Sequence, residues 1–140
     1  MTYLWVAIGS ALGGIARYGL TRLTLSVSDT FPWGTIAVNV IGCFIMGFVG
    51  TLALSSGRFA IPEGVRLFLM VGICGGFTTF SSFSLDTFAM ARTGDWFRAA
   101  TNITLSVGLC FFSVALGHML ASHSAAHADT PEISVERVAS

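Results

Sequence analysis

GICGGFTTFSSF, residues 72–83, decides how this chain is read. The stretch lies inside a long apolar run, yet it carries a glycine pair at Gly75 and Gly76, hydroxyls at Thr78, Thr79, Ser81 and Ser82, and phenylalanines at Phe80 and Phe83. Glycine loosens a helix, and hydroxyls in hydrocarbon need partners. The stretch therefore predicts a break at Gly75–Gly76 within a membrane-spanning helix. Backbone that leaves the helix at membrane depth must turn its carbonyls and amides to protein, water or an ion, which makes such a break a binding or conduction site. A second reading competes with this one. Gly72 and Gly76 have the GxxxG spacing that lets two helix backbones touch.

Working outward, the composition sets the solvent. Of 140 residues 54% are hydrophobic and 10% charged, and mean hydropathy is +0.78, which places the chain among multi-pass membrane proteins. Each crossing consumes ~20 apolar residues. The apolar runs predict an all-α fold of four transmembrane helices, Tyr3 to Leu23, Thr35 to Leu54, Val65 to Ala91 and Phe97 to Ala121, the third being the broken one. Residues 1–121 then form one membrane domain. Residues 122–140, rich in Ala, Ser, His and acidic side chains, cannot bury enough apolar surface to fold and are expected to be a disordered tail. The first run has no positive residue before it and exceeds a signal-peptide core, so it is expected to be retained.

The chain has no lysine and a formal net charge of zero, which leaves no electrostatic footprint for nucleic acid. With the N-terminus inside, Arg58 and Arg66 face the cytoplasm and Arg22, Arg92 and Arg98 the other side, while Arg137 lies too far from a helix end to count. A chain without a positive-inside bias can insert both ways up, and the two orientations can pair as an antiparallel dual-topology homodimer. Cys43, Cys74 and Cys110 fall inside predicted spans with no CxxC pair and no His at ligand spacing beside them, and they read as small packing residues, neither disulfides nor metal ligands. His123 and His127 share i, i+4 spacing but fall in the expected tail.

Polar residues within the spans carry the chemistry. Arg17 lies ~21 Å along a helix from Tyr3. It reads either as a snorkelling arginine or as a fixed positive charge at the vestibule of an anion path. Asn39 stands alone among apolar neighbours, as an interhelical hydrogen bond or as a donor aimed at a passing anion. Beyond the break, Phe80, Phe83 and Thr87 share one helix face, and Thr79, Ser82 and Asp86 the adjacent one. Asp86 marks a water-filled vestibule or snorkels outward. Asn102, Ser106, Cys110 and Ser113 form a weakly polar stripe that serves helix packing or lines an ion path.

No Ser-His-Asp set, HExxH, Walker loop or Rossmann glycine pattern is present, so enzymatic chemistry has no support. A small dual-topology proton-coupled multidrug antiporter is the rival reading. It requires a buried carboxylate, whereas the first two spans have none and the first carries Arg17. The polar inventory is instead rich in hydrogen-bond donors, and phenyl rings add electropositive edges, a combination suited to an anion.

Three motifs in order, GGIARY at residues 13–18, PWGTIAVNVIG at 32–42 and GICGGFTTFSSF at 72–83, resemble the CrcB/Fluc fluoride channel family. The likeness covers all four predicted spans. It implies a passive fluoride-selective channel that exports fluoride from the cytoplasm across the cell inner membrane, built as an antiparallel homodimer with two pores in membrane lipid. It further implies pore roles for Phe80, Phe83 and Asn39, for the hydroxyls of Thr79, Ser81 and Ser82, and for Asn102 and Ser106. A structural Na+ that is not transported is implied at the dimer centre, on the backbone carbonyls of Gly75 and Thr78 from both copies. Two positions depart from the family pattern: Ser82 replaces the usual threonine, and Asp86 stands where glutamate is common.

Overall fold

The computed structural model describes residues 2–54 and 61–128. Within them the chain is helical, with no strand. Helix α1 spans Thr2–Leu23 and is followed by a single 3-10 turn, Leu25–Val27; α2 spans Trp33–Leu54. A third segment begins at Glu63 as an arm of three consecutive parts, α-helical at Glu63–Arg66, π-helical at Leu67–Cys74 and α-helical again at Gly75–Phe77. We call this arm α3, residues 63–77. After two extended residues come α4, Phe80–Arg92, and α5, Trp96–Ala128.

Local chemistry explains the ends. The Ser28 hydroxyl accepts from the Gly34 N–H at 3.0 Å and so caps the start of α2, where Pro32 supplies the preset φ that helix starts favour. Between α4 and α5 the chain reverses through Gly94, whose φ of 84° is the left-handed geometry that glycine adopts without strain. Asp95 then caps α5, accepting from the Arg98 N–H at 3.1 Å and pairing with its guanidinium at 3.3 Å.

Three helical stretches are long and apolar enough to cross a membrane, Trp33–Ala53, Glu63–Arg92 and Trp96–Ser124. Helix α1, expected as the first span, has comparable length, but its arginines, glycines and hydroxyls lower its hydropathy, and it is not among the three. At the other end the helix continues past the expected boundary. Residues 122–128, placed in the tail on composition, extend α5, and the hydroxyls of Ser122 and Ser124 donate back to the His118 and Leu120 carbonyls. Adding turns to an existing helix avoids the cost of nucleation, so a tract of Ala, Ser and His suffices. The rest of the expected tail, residues 129–140, and the loop containing Arg58 lie outside the described residues.

The helices pair where side chains are missing. Helix α1 packs on α3 and α2 on α5, with α4 lying against α5. At the first crossing a Cβ on Gly9 would stand 2.9 Å from the Gly72 Cα, and one on Gly76 would stand 2.5 Å from the Ser10 carbonyl oxygen. At the second, Gly47 faces the Val114 backbone and Gly117 faces Phe44 and Phe48. Backbones this close gain dispersion contacts that lipid chains do not match. The buried apolar residues are accordingly modest in size, among them Ile36, Val38, Ala99 and Ala121, whereas Phe97, Phe111 and Phe112 are exposed. Such a distribution suits a hydrocarbon solvent, in which large apolar side chains have nothing to hide from.

Candidate functional site: the interrupted third segment

The predicted break lies elsewhere than at the glycines. Gly75 and Gly76 remain helical, and the chain becomes extended at Thr78, with ψ of 156°, and at Thr79, with φ of −150° and ψ of 105°. The glycines serve the crossing with α1, as the GxxxG reading expected. The interruption falls on the threonines because their polar groups have partners there.

Four sets of contacts hold it. Thr78 ends α3, its N–H and its hydroxyl both donating to the Cys74 carbonyl at 2.9 Å. The Asn39 amide then takes both backbone groups of Thr79, accepting from its N–H at 2.7 Å and donating to its carbonyl at 3.1 Å. Thr79 in turn caps α4, its hydroxyl accepting from the Ser82 N–H at 3.1 Å and donating to the Ser82 Oγ at 2.9 Å, with Ser81 Oγ 3.3 Å away. Arg17 donates to the Thr78 carbonyl across 3.4 Å. Asn39 is thus an interhelical hydrogen bond whose partner is main chain, and Arg17 reaches the interruption itself.

These contacts redirect the helical ladder. In a continuous helix the Thr79 N–H would close on the Gly75 carbonyl and the Ser82 N–H on the Thr78 carbonyl. Here both donors are taken, the first by Asn39 and the second by the Thr79 hydroxyl. Carbonyls that lose their helical donors become acceptors for something else. Thr78 O retains one lone pair beyond Arg17, and a Cβ added at Gly75 would meet only the Met70 carbonyl, at 3.8 Å, so that face is open. Neutral oxygens in this arrangement suit a hard cation, but two from one chain are too few to complete a shell. Among the described residues no group of three or more His, Cys, Asp or Glu offers another metal site.

A groove of about 450 Å³ runs beside the interruption, between α2 and α5, and Asn39, Thr78, Phe80 and Ser106 line it. Its floor is tight at one point, where Gly42 leaves room for the Thr78 methyl. Phe80 is 79% exposed and tilted against Phe83, with ring centroids 5.5 Å apart. The Asn102, Ser106 and Ser113 side chains of the stripe on α5 are buried, with Cys110 between them half-buried. Asn102, 1% exposed, donates to the Thr87 hydroxyl at 2.8 Å and accepts from Ser106 at 3.3 Å, while Ser113 donates to the Val40 carbonyl at 2.8 Å.

Asn39, Thr78, Phe80 and Ser106 therefore meet at the groove, and Thr79, Ser81 and Ser82 form the hydroxyl cluster beside it. Phe83 touches Phe80. Ser81 is exposed, and Asp86 lies further along α4, accepting from the Thr35 hydroxyl at 2.8 Å. Sequence reasoning missed two partners. Thr35 precedes Asn39 by one helical turn, a spacing that signals a shared face. Thr87 was assigned only to the phenylalanine face, although its hydroxyl receives Asn102.

Known proteins resemble this chain along most of its length. Residues 4–118 match the family model described as CrcB-like protein, Camphor Resistance (CrcB). A protein of Methylobacterium radiotolerans is 54% identical over 87% of this chain and 85% of its own length, and its name is fluoride-specific ion channel FluC. Proteins of the same name from Methylocella silvestris, 52% identical over 86% of this chain and 93% of their own, and from Gluconobacter oxydans, 50% identical over 86% and 84%, are similar along the same stretch.

Proposed function

Because the chain belongs to the CrcB-like family, we propose that it is a fluoride-selective channel that lets fluoride leave the cytoplasm passively through the cell inner membrane. The observation that carries this reading is the name shared by relatives at least 50% identical over most of both chains, fluoride-specific ion channel. The geometry gives that activity a physical form. Fluoride is small and strongly hydrated, so a path must replace water with donors without holding the ion. The Ser81 and Ser82 hydroxyls, the remaining amide protons of Asn39 and Asn102 and the ring edges of Phe80 and Phe83 offer weak successive contacts of that kind, and the Thr79 and Ser106 hydroxyls would join them by turning their O–H from Ser82 and Asn102 to the ion. Arg17 sets a positive charge beside the interruption, and Asp86 marks the vestibule end of α4.

The channel domain comprises residues 1–121 with four transmembrane helices, α1 being the fourth crossing beside the three apolar ones, and the last helix runs on beyond it to Ala128. The third segment, divided at Thr78–Thr79, is its functional break. The working unit is an antiparallel dual-topology homodimer. Support comes from the balanced arginines and from the groove, where Phe80 and Phe111 are each 79% exposed and a second copy would complete the wall. A structural Na+ at the centre of that dimer would take the Gly75 and Thr78 carbonyls of both copies, supplying positive charge that holds the two interruptions together. The diverted helical donors described above fit that role.

Efflux from proteoliposomes tests the reading. Fluoride should leave rapidly, chloride and a drug cation should not, and an imposed proton gradient should leave the fluoride rate unchanged. Proton-driven movement of the cation without fluoride flux would replace the channel by an antiporter.

A further inference from the structure

The groove has a sulphur-lined wall to which the proposed fluoride path assigns no role. Cys43 and Met46 stand one turn apart on α2, Cys110 faces them from α5, and all three line the same groove. The Cys43 and Cys110 thiols thus sit on facing walls of the groove. Both are free, and the groove they line runs on past Asn39 and Ser106. Cys74, by contrast, is buried and does not line the groove.

We propose that Cys43, Cys110 and Met46 form a binding site for a soft monovalent cation, Cu(I) or Ag(I). Thiolate and thioether ligands select such ions, and hard cations prefer oxygen. Charge balance favours one positive charge over two. When the ion binds, one thiol gives up its proton, Cys–SH + Ag⁺ → Cys–S–Ag + H⁺, while the second thiol and the Met46 thioether remain neutral donors. The proton leaves through the groove to water, no atom changes oxidation state, and the occupied site stays neutral. Neutrality is the inexpensive state at this depth. A tetrahedral zinc site would require a fourth ligand, and no imidazole or carboxylate lines the groove.

The consequence for transport rests on the proposed function. Asn39, Phe80 and Ser106 line the same groove, so a metal on the sulphurs would sit beside the fluoride path and stop flux.

The test begins with binding, which does not depend on transport. Ag⁺ is titrated into the full-length protein in micelles, in chloride-free nitrate buffer with a competing thiol, and bound silver is counted per chain. Wild type and Cys74→Ser should retain one tightly held ion. Affinity should fall by about tenfold or more, equivalent to ~1.4 kcal/mol, in Cys43→Ser and in Cys110→Ser, and by less in Met46→Leu. Retention unchanged in both serine variants, or lost only in Cys74→Ser, overturns the site. Alkylation of the wild type gives a readout that needs no variant: bound Ag⁺ should protect Cys43 and Cys110 from a small thiol reagent, and unchanged labelling of the pair also overturns it. In proteoliposomes Ag⁺ should block wild-type fluoride efflux and spare Cys43→Ser, each relative to its own metal-free rate. Unblocked wild-type efflux with silver bound refutes the placement beside the path. Absence of fluoride efflux in metal-free wild type refutes the channel reading instead, while the silver count still decides the site.

Discussion

The two arms of the third segment, α3 and α4, join at Thr78–Thr79 yet are held by opposite means. Helix α3 is positioned by what its side chains lack: Gly72 and Gly76 bring its backbone onto Gly9 and Ser10 of α1. Helix α4 is positioned by what its side chains offer, with Thr79 on Asn39, Thr87 on Asn102 and Asp86 on Thr35. Dispersion between backbones fixes distance but tolerates sliding, whereas directional hydrogen bonds in hydrocarbon fix rotation. The polar arm carries the candidate site because orientation is what an ion path requires.

Breaking the first arm should have the largest effect. Gly76→Val places a branched side chain into the Ser10 backbone, and with no flexible neighbour to yield, α1 and α3 must separate. Overpacking of this kind costs about 1–3 kcal/mol or more, and size-exclusion chromatography should show loss of the monodisperse protein. Changes to the polar arm should leave assembly intact and act on transport. Phe80→Ile keeps an apolar side chain but removes the ring edges from the groove, and fluoride efflux should become undetectable while the elution profile is unchanged. Retained efflux would remove Phe80 from the path.

Smaller effects sharpen the contrast. Thr87→Val takes away the hydroxyl that receives the buried Asn102 amide. Interhelical hydrogen bonds in membranes average about 0.6 kcal/mol, so the thermal midpoint should fall by a few degrees, and a larger drop would show that Asn102 finds no other acceptor. Ser84→Ala should be close to silent. The Ser84 hydroxyl is exposed and donates only to its own helix, at the Phe80 carbonyl, so efflux and midpoint should both match wild type.

Much of this arrangement was legible in the sequence, and the exceptions have physical causes. The apolar runs announced the three helices long and apolar enough to cross a membrane, though not the shortfall of α1, and the polar residues within them pointed to the candidate site, because each polar group in hydrocarbon needs a partner. The interruption was misplaced because glycine signals both a loosened helix and a close crossing. At Gly75–Gly76 the crossing prevails, and the better signal was Thr79 three residues before Ser82, an N-cap spacing. The role of Asn39 was ambiguous because its partner is the backbone of a residue forty positions away, and main-chain partners leave no trace in side-chain patterns. The π-helical run Leu67–Cys74 had no sequence cue. Nor did the placing of Cys43 and Cys110 on one groove, which depends on how α2 and α5 cross.

The central claim is that Asn39, by taking both backbone groups of Thr79, holds the third segment open for fluoride. Fluoride efflux from proteoliposomes bearing Asn39→Asp tests it most directly. Aspartate can still accept the Thr79 N–H, but when ionised it has no N–H for the Thr79 carbonyl and sets a negative charge beside the path. Repulsion from that charge raises the barrier to a passing anion, so efflux should fall by about 100-fold or more, a barrier rise of ~2.7 kcal/mol, in protein that elutes as wild type. Efflux at the wild-type rate would contradict the account.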